Sequence, residues 1–358
     1  MSLKRRKLLV FAQSGVGGAE RMSVTITKTL DPSHFEVKYY LLGEVKEGIA
    51  PLEKFIPQKL IVHHIISTNP IILIAYFFGI LLREQPDIVF SSVLNINNKL
   101  LLLKYIFHKT KFVARCDNYL YTYTDKQKLA VKKTYSLADV IIAQTDEMKY
   151  ELCNQIKIPN DKILVLQNPV DIETIKLKIR EGNNPYTNEK KIRYVARGRF
   201  AYQKGFDMLI ESFNIVKQHQ PDSELYIIGR NDGDCSDYYI SVLDIIKKYK
   251  LEESVHCVGF QSNPYVFVKY ATCFVLSSRW EGLPNVLIES LYLGTPVAAF
   301  KCIPVIERII SENVDGFLAE KNNIYSLAES MLKASSLGRV HTNYKSANIS
   351  DFHSIFNT

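Results

Sequence analysis

The chain has 358 residues, 47% of them hydrophobic and 23% charged, with a formal net charge of +8. It is too long for one core and too apolar for disorder, so two globular domains are expected. The positive charge is scattered apart from one cluster, Lys4-Arg5-Arg6-Lys7, with no zinc-finger spacing or ribonucleoprotein signature beside it. Nucleic acid is therefore not an expected partner, whereas an anionic ligand or an anionic membrane face suits the excess. The six cysteines (Cys116, Cys153, Cys235, Cys257, Cys273 and Cys302) form no C-x-x-C pair and no signal peptide is evident. A reduced, cytoplasmic setting is the expectation.

In the first half, short apolar runs alternate with helical stretches. Strands are predicted at Leu8–Ala12, Val37–Leu41, Ile88–Ser91, Phe112–Ala114 and Val140–Ala143, with helices at Ala19–Leu30 and Lys126–Leu137. Runs that are apolar throughout suit strands covered on both faces, as in a parallel sheet. The thirteen residues Pro70–Leu82 are apolar up to Arg83. A membrane span needs about 20 such residues, so a helix buried against a sheet is predicted, with a helix lying in a membrane surface as the alternative. His63-His64 have no partner pattern and read as structural or surface residues.

After Asn168-Pro169-Val170-Asp171 the composition turns charged, with Gly182, Asn183, Asn184 and Pro185. Residues 172–190 read as a linker between a first domain (1–171) and a second (191–340), followed by a tail (341–358) that could return to the first domain. Strands resume at Arg193–Ala196, Leu225–Ile228, Val255–Val258, Cys273–Leu276 and Val297–Phe300. Two βαβ series imply an α/β chain of two doubly wound, Rossmann-like domains facing a central cleft, with chemistry at the loops leaving the strands.

Those loops, in chain order, are distinctive. Gln13-Ser14-Gly15-Val16-Gly17-Gly18-Ala19-Glu20-Arg21 nearly matches a dinucleotide fingerprint, but Glu20 occupies the third glycine position, where helix and sheet must touch. Arg115-Cys116-Asp117-Asn118 leaves the fourth strand, and reads equally as a plain turn. Gly198-Arg199-Phe200-Ala201-Tyr202-Gln203-Lys204-Gly205 places a guanidinium and an ammonium on one loop, able jointly to neutralise a diphosphate. Asp232-Gly233-Asp234 has the form of a metal-binding D-x-D, though Asp-Gly is also a common turn, and metal binding is not expected.

The richest loop runs Ser277-Ser278-Arg279-Trp280-Glu281-Gly282-Leu283-Pro284-Asn285-Val286-Leu287-Ile288-Glu289. Pro284 suits the first position of a helix that ends near Leu293-Gly294. The amides of that helix start, with the dipole behind them, favour an anion. Glu281 and Glu289 are poor phosphate ligands but good acceptors for sugar hydroxyls.

The segment Glu281–Glu289, followed by Leu293-Gly294-Thr295-Pro296-Val297, resembles the donor-site signature of the group 1 (family 4) retaining glycosyltransferases of the GT-B fold. The Gly198–Gly205 loop resembles that family's diphosphate clamp, and Gly17-Gly18-Ala19-Glu20-Arg21 its usual opening loop. Further similarity, at Ala143-Gln144-Thr145, Gln167–Asp171 and Val258-Gly259-Phe260, extends it from about Leu8 to Leu332. The resemblance implies that Arg199 and Lys204 clamp the diphosphate, and that Glu281 holds the donor sugar and Glu289 the ribose. Gly282, Leu283, Pro284, Asn285 and Val286 would line the donor, with Gly17 and Gly18 facing it across the cleft. Arg115, Asp117 or Asn118 would touch the sugar or acceptor, although the His common at that loop in the family is missing here.

The expected reaction transfers a hexosyl or N-acetylhexosaminyl group from a nucleoside diphosphate sugar to a hydroxyl. A UDP-sugar is favoured over a GDP-sugar, and no cofactor or metal is expected. The resemblance implies retention. Surface polysaccharide or lipopolysaccharide assembly fits, on a glycan or lipid-linked glycan at the inner membrane face. A sugar-nucleotide epimerase of the same fold, a non-catalytic sugar-nucleotide-binding protein and a nicotinamide-dependent dehydrogenase are the alternatives.

Overall fold

Leu8, Leu9, Val10, Phe11 and Ala12 are all fully buried, as a strand must be when helices cover both faces of its sheet. They are the middle of β1 (Arg6–Gln13), which pairs in parallel with β2 (Phe35–Leu42) on one side and β4 (Ile88–Ser91) on the other. Adding β3 (Ile61–Ile65), β5 (Lys111–Arg115), β6 (Val140–Ala143) and β7 (Ile163–Val165) gives a parallel sheet of order β3-β2-β1-β4-β5-β6-β7. Its helices are α1 (Gly18–Thr27), α2 (Pro70–Glu84), α3 (Leu94–Leu100), α4 (Asp125–Thr134) and α5 (Asp146–Gln155). This computed structural model describes residues 5–43, 51–67, 69–187, 191–231 and 236–357.

The chain divides at Pro169/Val170, the second unit being Val170–Lys345. It begins with α6 (Ile172–Glu181), so most of the expected linker is a helix. Asp171 caps it, accepting from the Thr174 N–H at 3.3 Å. The charged residues that suggest a linker form its solvent side, while Ile175 is buried.

The second sheet has the order β10-β9-β8-β11-β12-β13, again all parallel. Its strands are β8 (Ile192–Arg197), β9 (Ser223–Ile228), β10 (Val255–Gly259), β11 (Cys273–Leu276), β12 (Val297–Phe300) and β13 (Gly316–Ala319). The helices are α7 (Phe206–His219), α8 (Ser236–Lys248), α9 (Tyr265–Tyr270), α10 (Asn285–Tyr292), α11 (Ile306–Ile309) and α12 (Ile324–Ser335). Helix α6 packs on α9. In each sheet strand order reverses once, between β1 and β4 and between β8 and β11, and those switch points are where such sheets bind ligands.

From Ser346 the chain rejoins the first unit. There α13 (Ile349–Asn357) packs against α1, burying Phe352 and Phe356 fully. Arg6 Nη1 and Lys111 Nζ donate to the carbonyls of Phe356 and Ile355 at 2.9 and 2.6 Å. Cations on the last carbonyls complement the negative end of a helix.

Helix α2 departs from the expected burial. Leu73, Phe77, Ile80 and Leu81 face the sheet, with Phe77 edge-on to Phe11, but the opposite face is exposed although also apolar. Among the described residues no helix is long and apolar enough to cross a membrane.

At its end, Glu84 receives Lys38 Nζ at 2.7 Å and Lys7 Nζ at 3.4 Å. Burial alone would raise the Glu84 carboxyl; the two ammonium groups outweigh it and bring the pKa down to about 2. The pairing therefore stabilises the fold fully above the ordinary carboxylate range and fades as the pH falls towards 2. Glu84→Gln is expected to lose about 1–2 kcal/mol at neutral pH, solvent screening included. Denaturant titrations should show that difference shrinking towards zero near pH 2.

Candidate active site

The site lies at the β8/β11 switch of the second unit. Strand β8 ends at Arg197, and the chain passes through Gly198 into a tight turn at Tyr202–Lys204 before α7. Two glycines make that path possible. Gly205 has φ +63, and a Cβ there would lie 2.2 Å from the Ser277 carbonyl oxygen. At the exit of β9, a Cβ on Gly229 would lie 1.6 Å from the Gly198 carbonyl oxygen. Gly229→Ala must push backbone apart and is expected to lose roughly 2–4 kcal/mol of stability. Gly18→Ala, where a Cβ meets nothing within 4 Å, should lose none; urea unfolding of the pair checks both.

Lys204 folds its aliphatic stem over Gly198 and delivers its ammonium to Glu281, with Nζ 2.7 Å from Oε1. The Ser278 hydroxyl donates to the same oxygen at 2.6 Å. Side-chain exposure is 18% for Lys204 and 9% for Glu281, so the pair is largely withdrawn from water. The two loops are further strapped together. Ser277 Oγ donates to the Lys204 carbonyl at 2.8 Å, Arg279 N to the Gln203 carbonyl at 2.8 Å, and Gln203 Nε2 to the Trp280 carbonyl at 3.0 Å. Arg279 grips Asp207 with both terminal nitrogens, at 3.0 and 2.5 Å, and lies over the Tyr202 ring. Burial would raise the Asp207 carboxyl, yet hydrogen bonds from Arg279 and Tyr238 hold it below its ordinary value.

Glu289, on α10, is met by a second cation. Arg197 Nη1 donates to Glu289 Oε2 at 2.6 Å, with its guanidinium over the Tyr265 ring, 5.3 Å from the centroid. Sequence reasoning missed Arg197. The one available signal was a charge closing, at a switch point, a strand whose run Tyr194-Val195-Ala196 is apolar.

Helix α10 starts one residue later than expected: Pro284 is the cap and Asn285 the first helical residue. The Leu287 N–H turns back to the Pro284 carbonyl at 3.0 Å, and Pro284 offers no side-chain cap. The amides ahead of Leu287 have no carbonyl earlier in the helix to reach, so this end of α10 favours an anion. Leu283 is buried; Asn285 and Val286 are half-exposed. Helix α10 ends at Tyr292, and Gly294, at φ +76, carries the left-handed turn that follows.

Two cation–carboxylate pairs, Lys204 with Glu281 and Arg197 with Glu289, thus join the end of β8 and the turn after it to the segment that follows β11, on either side of the switch. Arg199 does not join them by any side-chain contact among the described residues; it is exposed. In the first unit, Gly17 caps α1 in extended conformation, with the Glu20 carboxylate folded over it, and Gly18 opens the helix. Arg115 departs from its expected role: it is buried, with its guanidinium directed to Asn168 rather than outward. Burial takes its pKa down to about 10 against the opposing charge of Asp117. Asp117 is half-buried and accepts from Tyr123 Oη at 2.7 Å, its carboxyl raised by desolvation. Asn118 is half-buried, its carbonyl accepting the Cys116 thiol. Asp232-Gly233-Asp234 lies outside the described residues. Among the described residues no cluster of three metal-type ligands occurs.

Two family models match end to end: Glycosyltransferase Family 4 over residues 16–174 and Glycosyl transferases group 1 over 176–350. The chain belongs to the group 1 glycosyltransferases. An uncharacterized glycosyltransferase of Methanocaldococcus jannaschii is 32% identical over 267 residues, covering 68% of this chain and 64% of the relative. The Campylobacter jejuni N-acetylgalactosamine-N,N'-diacetylbacillosaminyl-diphospho-undecaprenol 4-alpha-N-acetylgalactosaminyltransferase is 27% identical, over 94% of this chain and 93% of the relative. Among solved structures, Anabaena HepE in complex with UDP and glucose superposes with TM-score 0.78 at 17% identity, covering 99% and 98% of the two chains. That likeness speaks for the fold: this glycosyltransferase has the two parallel α/β units of the GT-B class.

Proposed function

We propose that this glycosyltransferase moves a hexosyl or N-acetylhexosaminyl group from a nucleoside diphosphate sugar, UDP favoured over GDP, to a hydroxyl of a glycan or lipid-linked glycan. The observation that carries the reading is the meeting of Lys204 with Glu281, and of Arg197 with Glu289, beside the uncapped start of α10. Cations and helix amides suit a diphosphate, and carboxylates suit the hydroxyls of the sugars on either side of it. Family membership supports the same assignment. The UDP held by HepE and the undecaprenyl diphosphate acceptor of the Campylobacter relative support the choice of donor and acceptor class.

In the proposed reaction the anomeric C–O bond to the diphosphate breaks and its electron pair leaves with the phosphate oxygen. The acceptor oxygen bonds to the anomeric carbon on the same face, and its proton passes to the departing diphosphate. Retention here rests on the family resemblance. Lys204, Arg199 and the amides at Asn285 and Val286 would stabilise the growing negative charge, which is ordinarily the largest catalytic contribution. Gly282, Leu283 and Pro284 would shape the loop around the donor. Glu281 would orient the sugar and Glu289 the ribose, contributing through alignment. The assignment of Gly17 and Gly18 to the donor, and of Asp117 or Asn118 to the sugar or acceptor, rests on resemblance alone. Such work on lipid-linked glycan belongs at the cytoplasmic face of a membrane, in surface polysaccharide or lipopolysaccharide assembly.

A thermal-shift panel of nucleoside diphosphates and their sugars tests the donor. At 100 times its dissociation constant the right ligand adds about 2.7 kcal/mol, and UDP should outperform GDP. Indifference to every nucleoside diphosphate would sink the reading. Product analysis with and without an acceptor separates transfer from epimerisation.

A further inference from the structure

Helix α2 breaks the usual pattern of a surface helix, which carries polar residues on its solvent side. Asn69 caps it, accepting from the Ile71 and Ile72 amides at 2.9 and 3.3 Å, and Pro70 fits the first turn. Its inner face is filled by Phe77 and its neighbours. Its outer face is equally apolar: Ile71 is 78% exposed, Leu82 58% and Tyr76 52%, and no charge appears before Arg83. The patch continues beyond the helix. Phe78 meets Phe107 edge-on at 5.7 Å, and just before Phe107 the turn Leu101–Tyr105 and the residue after it expose Tyr105 and Ile106 by 75% and 58%. Gly79 opens a shallow groove along the same face, lined by Ile72, Ala75 and Tyr76 and closed by Arg83.

The charge around this patch is one-sided. Counting from Lys54 to Cys116, the sequence holds eight Lys and Arg, among them the buried Arg115 and the Asp139-paired Lys104, against two acids, Glu84 and Asp87. Both acids are engaged: Glu84 by Lys38 and Lys7 and, at 3.3 Å, by Arg83 Nε, and Asp87 by the Lys7 amide at 2.7 Å. Lys109 is exposed two residues after Phe107, and the Arg83 side chain is 65% exposed at the end of α2.

We propose that the outer face of α2, with the Tyr105–Ile106 turn, is a docking surface for an anionic lipid bilayer. The apolar side chains enter the headgroup boundary, and Arg83 and Lys109 meet the lipid phosphates. A helix of 15 residues is too short to cross the hydrocarbon and lies along the surface instead. A second copy of the chain is the poorer occupant. A two-fold interface sets the same patch against itself and would bring its own Arg83 and Lys109 side chains together, with Glu84, already shared among Lys7, Lys38 and Arg83, as the one acid beside them on α2. The inference deepens the membrane placement proposed above but does not need the donor site to be correct.

Vesicle flotation tests it, using phosphatidylcholine with and without phosphatidylglycerol. The wild-type chain should bind acidic vesicles at least about tenfold better than neutral ones, and lose the preference at high salt. The triple variant Ile71→Gln, Tyr76→Gln, Leu82→Gln should bind acidic vesicles at least about tenfold less. Lys109→Glu should reduce acidic-vesicle binding while leaving neutral binding unchanged. Because these side chains are exposed, unchanged melting and an unchanged response to UDP should accompany the loss, which separates this surface from the donor site. Equal flotation of wild type and triple variant, or no wild-type binding to acidic vesicles, overturns the proposal. So does a wild-type dimer by light scattering that the triple variant converts to monomer.

Discussion

Lys204→Ala is expected to slow sugar transfer by about 30- to 1,000-fold, corresponding to about 2–4 kcal/mol of lost transition-state stabilisation. Arg199→Ala should fall in the same range. The diphosphate acquires its charge as the anomeric bond breaks, so the loss should appear in kcat and kcat/KM alike. The two variants should nevertheless differ in stability. Lys204 neutralises the nearly buried Glu281, so its removal strands a carboxylate and should lower the melting temperature, whereas Arg199 is exposed and should melt as wild type. Lys204→Ala combined with Glu281→Gln should recover stability without recovering turnover. Near-wild-type turnover in both single variants would remove the clamp from the mechanism.

Glu289→Gln is expected to weaken donor binding by about 10- to 150-fold, the value of a hydrogen bond to a charged group, about 1.5–3 kcal/mol. The ribose is held alike in ground and transition states, so KM should rise while kcat stays near its original value. Arg197→Met provides the companion test. Arg197 occupies one oxygen of Glu289, leaving the other for a ligand, and so fixes how the carboxylate faces. Its loss should raise the donor KM roughly tenfold, on the scale of one charge-assisted hydrogen bond. In the double variant the two effects should fall short of additive, because both act through one carboxylate. Weaker UDP binding, but unchanged binding of 2'- and 3'-deoxy analogues, would tie both residues to the ribose. Equal losses for all three nucleotides would detach them from it.

The centre of each sheet was legible because β1, β4, β8 and β11 each hold a run of successive apolar residues, as a strand covered on both faces does. The edges were not. Strand β3 carries His63 and His64, β7 is three residues long and β13 begins with glycine, and an edge strand need not be apolar on both sides. Helix α6 was hidden for a related reason: charged residues on one side of a short helix look like a linker when counted together.

At the site, the loops were legible as sequence but their contacts were not. Lys204 and Glu281 are 77 residues apart, and Arg197 and Glu289 are 92 apart. Only strand order brings β8 beside β11, and no local spacing reports that neighbour. Arg115 misled for the opposite reason. A guanidinium at a strand exit suggests a ligand, but a nearby Asn168 turned it inward.

Helix α13 has a consequence for how the chain must be made. The first unit needs Phe352 and Phe356 to complete its interior, yet 176 residues of the second unit, Val170–Lys345, precede them from the ribosome. The first sheet therefore emerges early with its α1 side uncovered, and waits for the closing helix while the other unit is synthesised. Nascent chains stalled before residue 346 should bind chaperones that recognise bare apolar surface, and nascent chains extended far enough to free α13 from the ribosome should not.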